Sequence, residues 1–514
     1  MEQDANSLTG KVYLVGAGPG DPALITVRGL HWLETADVVV YDRLIDRRLL
    51  EKVPQNAEVI FVGKGRGTKV IDQEGINNLL VKKSKEGKTV VRLKGGDPFI
   101  FGRGGEEVQT LAENNVPFEI VPGVTSATAA AAYAGIPLTS RNIASSFTVV
   151  SGTEAPNKGK LSTQWDALAN SGDTLVVLMG WESLANIVES LQRSGMHSST
   201  PIALVRWGTE PYQRTVVGTL TNIVERGKDA SLSPPVVAII GEVVNLRDEL
   251  SWFEKKPLFG KKVLVTRSRK QASILSNMLA IEGAEPIEVP TIEIAPLEDT
   301  ALIDKAIGHL AKYQWVIFTS VNGVHALFKR LFDLGMDTRS FSNNKIAAVG
   351  SATAQALFQH GVQADFIPDQ YISGAIVLGL KELNLNKAAV LLPSTDIVTN
   401  VLYNGLCDLG ALVDRVTVYR TIIPLKSDAE ALTLLQDGRI DVVTFTSSST
   451  VRNLVSMLDS NPDLLNRTVV GCIGPVTAAT AHGLKINVDF IAHQHTIYGL
   501  VEALKKYFAP QGDE

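Results

Sequence analysis

The chain of 514 residues is too long for a single core and suggests three or four lobes of ~150 residues. Hydrophobic residues at 45% and charged residues at 20% give the balance of a globular protein, and a net charge of −5 argues against a general nucleic-acid binder, which would carry a broad basic face. Cys407 and Cys472 stand far apart with no Cys-x-x-Cys pair, which excludes a disulfide framework and a zinc site and fits a reducing cytoplasm.

The start, MEQDANSLTGK, is too polar and acidic for a signal peptide. The runs VYLVG (from Val12), ADVVVYD (ending at Asp42), VVRL (from Val90) and FEIVPG (ending at Gly123) each stop at a glycine or polar residue. Such bounded apolar runs suit buried parallel strands, and their alternation with helical patterns predicts α/β architecture. After GPGDP, either Asp21 or Thr26 can cap a helix, with Pro22 tolerated in its first turn. The longest uncharged stretch, Ile120 to Ser140, could span a bilayer by length. Its Pro122, Gly123, Gly135 and Pro137 make it a strand end followed by a close-packed helix, so no membrane span is expected. A second group of strands follows, FTVVSG, TLVVLMG, PIALVRWG and PPVVAIIG, giving two lobes before residue 250.

Residues 251–262, SWFEKKPLFGKK, gather charges with Pro257 and Gly260 and read as a linker, after which KVLVTRS starts a fresh strand. The remaining chain contains an internal repeat. WVIFTSVNGV (from Trp315) recurs as DVVTFTSSSTV (from Asp441), so Thr319 aligns with Thr446 and Gly350 with Gly474. Two copies are too few for a solenoid and suit two similar α/β lobes facing across a cleft.

Two glycine-rich loops in the first half could carry chemistry. GAGPGDP (Gly16 to Pro22) has Asp21 where a dinucleotide fingerprint needs its third glycine, and a carboxylate there would repel a pyrophosphate. A dehydrogenase reading, with Asp42 as the ribose acid, therefore remains an alternative without bound nicotinamide expected. The stretch VVRLKGGDPFIFGRGGEE (Val90 to Glu107) holds five glycines and no Gly-Lys-Ser/Thr ending. Gly95 and Gly96 let the backbone face a ligand, Asp97 can accept from hydroxyl or ammonium groups, and Arg103 beside Glu106 and Glu107 braces the turn by ion pairing. This bend suits a neutral or cationic ligand better than a phosphate.

The ordered set GAGPGDP, VVVYDRL, FVGK, RLKGGDPFIFGRGGEE, VPGVTS, AGIPLT and VLMG resembles the uroporphyrinogen-III C-methyltransferases over about residues 10–252. That resemblance implies S-adenosylmethionine as methyl donor, with Pro19, Gly95, Gly96, Asp97, Ile100, Thr125, Ser126, Met179 and Gly208 as its contacts. It further implies Asp42 as proton acceptor and Lys64 as proton donor. The flank of Lys64 reads GKGRGTK, with Arg66 displaced by one position and Lys69 where a histidine is common. The implied substrate bears eight carboxylates and needs Arg or Lys to offset them. Arg43, Arg66 and Arg141, beside motif loops, are the preferred candidates over Arg28, Arg47 and Arg48.

The second half holds no Gly-x-Ser-x-Gly, Cys/His pair or metal cluster, and His493 and His495 read as solvated loop residues. VLVTRS, FTSVNGV, VTVYRT, FTSSSTV and IGPVTAATAHGL resemble uroporphyrinogen-III synthase over about residues 260–508. That family closes hydroxymethylbilane without a cofactor while inverting the last ring. The resemblance matches Tyr419 to a tyrosine that helps expel the terminal hydroxyl. Thr319, Ser320, Asn322, Ser447, Ser448 and Thr477 are candidate carboxylate binders at helix N-termini.

The implied fold is α/β throughout: a two-lobed tetrapyrrole methylase fold, then a two-lobed synthase of flavodoxin-like α/β lobes. The implied borders are a methylase at 10–250 (lobes about 10–122 and 123–250) and a linker at 251–260. The synthase follows at 261–508, one lobe about 261–293 plus 421–508 and the other about 296–418. A bifunctional enzyme making precorrin-2 is the leading expectation, with a methyltransferase fused to a non-catalytic binding module as alternative. The expected partners are small tetrapyrroles, with no nucleic acid, no membrane and no metal, in a cytoplasmic homodimer joined through the methyltransferase half.

Overall fold

The computed structural model describes residues 9–63, 71–153, 164–171, 173–266, 269–291, 293–368, 385–396, 400–422 and 429–509, with single positions at 377, 379 and 381. The chain divides into two compact units. One holds residues through Lys261 with the short segment Ala280–Glu285, and the other holds Lys262–Leu279 and Pro286 onward.

The first unit contains two five-stranded sheets. Its first sheet is built from β1 (Val12–Gly16), β2 (Val38–Tyr41), β3 (Glu58–Phe61), β4 (Val90–Lys94) and β5 (Phe118–Val121) in the order β3-β2-β4-β1-β5. All pairings are parallel, as the bounded apolar runs predict, and β1 and β4 are buried along their whole length. Both capping residues are used. Asp21 caps a single turn of 3-10 helix at Pro22–Leu24, and Thr26 caps helix α1 (Val27–Glu34) by accepting from Gly29 N at 3.1 Å. Helix α2 (Gln73–Lys85) and helix α3 (Gly104–Glu113) cross over between strands, and α4 (Ser126–Tyr133) opens the second lobe.

The second sheet is mixed. It holds β6 (Phe147–Ser151), β7 (Thr174–Leu178), β8 (Pro201–Arg206), β9 (Arg214–Thr219) and β10 (Val236–Ile240) in the order β6-β7-β10-β8-β9. Only β6 and β7 run parallel; β10 is antiparallel to β7 and β8, and β8 to β9. Strand β9 was not visible as an apolar run because its side chains are only half-buried at one edge. The uncharged Ile120–Ser140 stretch is a strand end and a helix that buries Ala127, Ala129, Ala130 and Ala131. No helix among the described residues is long and apolar enough to cross a membrane.

The residues expected to link the halves do not stand free. Phe253 and Leu258 are buried, and the Glu254 carboxylate accepts from Gln213 Nε2 at 2.8 Å and Thr215 Oγ1 at 2.6 Å and pairs with Arg247. One of the charges that suggested a linker, Glu254, thus fastens this stretch to the first unit.

The second unit also contains two five-stranded sheets, as the repeat predicts. One holds β11 (Lys262–Val265), β12 (Glu285–Glu288), β18 (Val442–Phe445), β19 (Val469–Cys472) and β20 (Phe490–Ile491) in the order β12-β11-β18-β19-β20. The other holds β13 (Glu293–Ala295), β14 (Trp315–Phe318), β15 (Lys345–Ala348), β16 (Ala389–Thr395) and β17 (Leu412–Ile422) in the order β13-β17-β16-β14-β15. The long β17 runs parallel to β16 and antiparallel to β13, so both β13 and the end of β17 join the second of these sheets.

Candidate functional site

The loops singled out in the sequence all leave the carboxyl ends of the first sheet's parallel strands, the edge where open α/β sheets present their ligand sites. After β1 and β4 the chains come together at Gly18 and Gly96, which exchange backbone hydrogen bonds: Gly96 N donates to Gly18 O at 2.6 Å and Gly18 N to Gly96 O at 3.3 Å. A third loop, after β5, closes on the same point. A Cβ on Gly123 would lie 2.3 Å from Gly96 O and 2.7 Å from Gly16 Cα, and one on Gly16 2.5 Å from Gly123 Cα, so the approach requires glycine at both positions.

Asp97 holds the loops in register. Its Oδ1 accepts from Phe99 N at 2.8 Å and its Oδ2 from Gly123 N at 3.0 Å, which leaves further lone pairs for a ligand hydroxyl. Gly96, at φ +69°, faces open space: a Cβ there would meet nothing closer than Ser126 N and Thr125 Cα at 3.9 Å. Gly96 thus faces the Thr125–Ser126 turn, Asp97 is tied to the Gly123 loop, Pro19 and Gly95 adjoin the Gly18–Gly96 contact in sequence, and Ile100 is exposed on the next turn. Thr125 also caps α4. Met179 and Gly208 follow β7 and β8 in the other lobe. Met179 is 52% exposed with φ +54°, whereas a Cβ on Gly208 would strike Ala130 Cβ at 2.7 Å, so Gly208 is needed for packing on α4. The GAGPGDP loop ties the two lobes together. Asp21 N donates to Thr209 Oγ1 at 3.0 Å and Tyr133 Oη to Asp21 Oδ2 at 2.9 Å, and burial followed by the Asp21 charge pushes the Tyr133 phenol up.

Asp42 stands just past β2, its side chain 31% exposed, with both carboxylate oxygens 2.9 Å from Arg92 Nη2. Behind Arg92, Glu107 Oε1 accepts from Arg92 Nε at 3.1 Å, from Lys94 Nζ at 2.9 Å and from Gln73 Nε2 at 3.3 Å. Burial, followed by the Arg92 charge, pushes the Lys94 ammonium down from its ordinary range. Sequence reasoning missed this network because VVRLK reads as an apolar strand. The signal was there: Arg92 and Lys94 are two residues apart and so share one face of β4. Of the adjacent carboxylates, Glu106 pairs with Arg103 at the surface, at 2.6 Å, while Glu107 turns inward. Arg103 thus braces the turn as expected, from a left-handed φ of +57°.

Arg43 and Arg141 are exposed; Lys64 and Arg66 lie outside the described residues. Sequence reasoning also missed Glu210. Buried beside the Gly20 turn, its carboxyl is pushed up to about 8 by burial and then by the Asp46 charge, against the pull of Arg48.

In the second unit, Ser320 and Ser447 cap matching helices, Val321–Asp333 and Ser448–Met457. Ser320 Oγ accepts from Gly323 N at 3.0 Å, and Ser447 Oγ from Thr450 N at 3.3 Å. Tyr419 Oη lies 3.2 Å from Ser320 Oγ, and its ring comes within 4.0 Å of a Cβ built on Gly323. Burial raises the Tyr419 phenol. Thr319 and Asn322 flank this pair in sequence and are partly exposed. Ser448 belongs to a second group: its Oγ accepts from Thr480 Oγ1 at 2.7 Å, and Thr477 is buried on the same helix, Pro475–Gly483.

Glycine loops meeting at the carboxyl edge of a parallel sheet, joined to a second lobe and followed by a duplicated α/β unit, are the layout of small-molecule enzymes of the α/β class. A model of the Tetrapyrrole (Corrin/Porphyrin) Methylases matches residues 11–224, and one of Uroporphyrinogen-III synthase HemD matches residues 273–502. The porphyrin biosynthesis protein HemD of Ruminiclostridium josui is 40% identical over 496 residues, covering 96% of this chain and 97% of that protein. The uroporphyrinogen-III C-methyltransferase of Methanocaldococcus jannaschii is 52% identical over 242 residues, 47% of this chain and 99% of that protein. A crystal structure of the uroporphyrin III C-methyltransferase of Thermus thermophilus is 42% identical, covers 46% of this chain and all of its own, and superposes with a TM-score of 0.40. The chain belongs to the family of porphyrin-biosynthesis fusions in which a tetrapyrrole methylase precedes a uroporphyrinogen-III synthase.

Proposed function

We propose that the chain is bifunctional. Residues 261–508 close hydroxymethylbilane to uroporphyrinogen III, and residues 10–250 methylate that product twice to give precorrin-2. The observation that carries the first-half reading is the meeting of Gly16, Gly96 and Gly123 at the same sheet edge from which Asp42 emerges past β2, its carboxylate held at both oxygens by Arg92.

The residues fit S-adenosylmethionine. Open space at Gly96 accepts a close ligand, exposed Ile100 and Met179 offer apolar contact to an adenine, and Asp97 retains capacity for a ribose hydroxyl. Pro19, Gly95, Thr125, Ser126 and Gly208 complete the cradle. S-adenosylmethionine supplies a sulfonium-activated methyl group. The ring carbon that gains this methyl already bears a carboxylate side chain and no hydrogen, so the macrocycle must shed a proton from another position as the new C–C bond forms. Asp42 takes that proton, an O–H bond forming as the macrocycle's bond to hydrogen breaks, so that no positive charge is stranded on the ring. Lys64 serves as proton donor, and Arg43, Arg66 and Arg141 bind substrate carboxylates.

In the second unit, Tyr419, with Ser320 beside its phenol, assists departure of the terminal hydroxyl of the linear substrate. Thr319, Asn322, Ser447, Ser448 and Thr477 hold carboxylates. The enzyme works in the cytoplasm as a homodimer through its first unit. Asp42→Asn tests the proton-acceptor role. Release of S-adenosylhomocysteine from S-adenosylmethionine and uroporphyrinogen III should fall roughly 100-fold or more while S-adenosylhomocysteine still binds. A variant that methylates at the full rate overturns the assignment.

A further inference from the structure

Asp42 shares its guanidinium with a second carboxylate. Arg92 reaches Asp42 through Nη2 and Glu107 through Nε, and Lys94 Nζ reaches the same Glu107 oxygen at 2.9 Å. Arg92, Lys94 and Glu107 are 2%, 4% and 0% exposed, so little water screens them from one another. Glu107 Oε2 is buried with no hydrogen-bond partner among the described residues, so that carboxylate's contacts fall on one oxygen, which accepts from these two cations and from Gln73.

An arginine held against both oxygens of a carboxylate favours its charged form and so opposes its use as a proton acceptor. A second carboxylate on the same arginine works the other way, because its negative charge disfavours another nearby. A lysine beside that second carboxylate takes part of this effect back. We propose that Glu107 and Lys94 are positioning residues that set the basicity of Asp42 through Arg92, Glu107 raising it and Lys94 lowering it. The catalytic consequence rests on Asp42 being the proton acceptor; the electrostatic coupling does not.

Other polar and charged groups among the described residues stand next to this line. From α2, Gln73 contributes a neutral amide 3.3 Å from Glu107; from the start of α3, Glu106 and Arg103 neutralise each other at 2.6 Å. Lys94 itself is acted on by the charges of both Arg92 and Asp42, so the two ends of the line sense each other.

The test is a carbon-13 carboxyl titration of the full chain without ligands, the Asp42 signal being assigned by its loss in Asp42→Asn. Glu107→Gln removes a negative charge and is expected to move the Asp42 midpoint to lower pH. Lys94→Met removes a positive charge and is expected to move it to higher pH. A merely structural role would not produce shifts of opposite sign. Should both buried variants fail to fold, Gln73→Lys places a cation beside Glu107 from a half-exposed helix position and should move the midpoint down. Midpoints that stay put, or that all move one way, overturn the proposal. The acid limb of methyl transfer against pH is then measured on the same variants. If it fails to follow midpoints that have moved as expected, the coupling stands and the role of Asp42 in proton removal falls.

Discussion

Glu210→Gln should stabilise the first unit in mildly alkaline solution and leave it nearly unchanged in acid. Glu210 is 6% exposed, and burial together with the Asp46 charge raises its carboxyl to about 8, against an ordinary value of 4.5. Below the lower value the group is protonated whether folded or not. As pH rises between the two, the unfolded chain ionises while the folded one must keep its proton, so stability is lost across this window and the loss is complete above about 8. At ~1.36 kcal/mol for each pH unit of separation the full penalty is about 5 kcal/mol. Local relaxation and water entry bring the expected figure to about 2–5 kcal/mol. Glutamine keeps the shape and removes the ionisation. Denaturant unfolding at pH 5 and pH 8.5 would be followed by tryptophan fluorescence, which reports mainly on the first unit because every tryptophan but Trp315 lies before residue 261. Equal losses of stability by the two proteins between these conditions would refute the reasoning.

Gly123→Ala would drive a methyl to 2.3 Å from Gly96 O, where only backbone can give way. Overpacking of this kind costs about 1–3 kcal/mol, and S-adenosylhomocysteine affinity measured by calorimetry should fall roughly tenfold for each 1.4 kcal/mol that the loops lose in register. Unchanged affinity would place the donor elsewhere. Tyr419→Phe removes a phenol whose Ser320 partner stands 3.2 Å away, a change worth about 1 kcal/mol of stability. Its effect should instead appear as a slower rate of type III isomer formation, seen by separating type III from spontaneous type I product. A normal rate would reduce Tyr419 to a packing residue.

Much of the fold was legible because buried parallel strands require continuous apolar runs and tight exits: β1, β2, β4 and β5 were all visible as runs ending at Gly16, Asp42, Lys94 and the Pro122–Gly123 turn. The duplicated helix starts were legible too, since Ser320 and Ser447 occupy matching places in the repeat; that their hydroxyls cap the helices was not. Strand β9 was not, because an edge strand needs no apolar run, and 251–260 read as a linker because charge normally signals solvent. There, Glu254 is held inward by Gln213, Thr215 and Arg247. The site's glycines were visible as residue types, but their convergence is a tertiary fact. So is the Asp42–Arg92–Glu107–Lys94 line, which requires β2, β4 and α3 to be adjacent.

The central claim is that one chain performs both steps in succession, and the mass of the tetrapyrrole formed from hydroxymethylbilane and S-adenosylmethionine by the full-length protein tests it directly. A type III macrocycle heavier by two methyl groups is the expected product. An unmethylated type I macrocycle, formed at the spontaneous rate, would contradict both halves of the account at once.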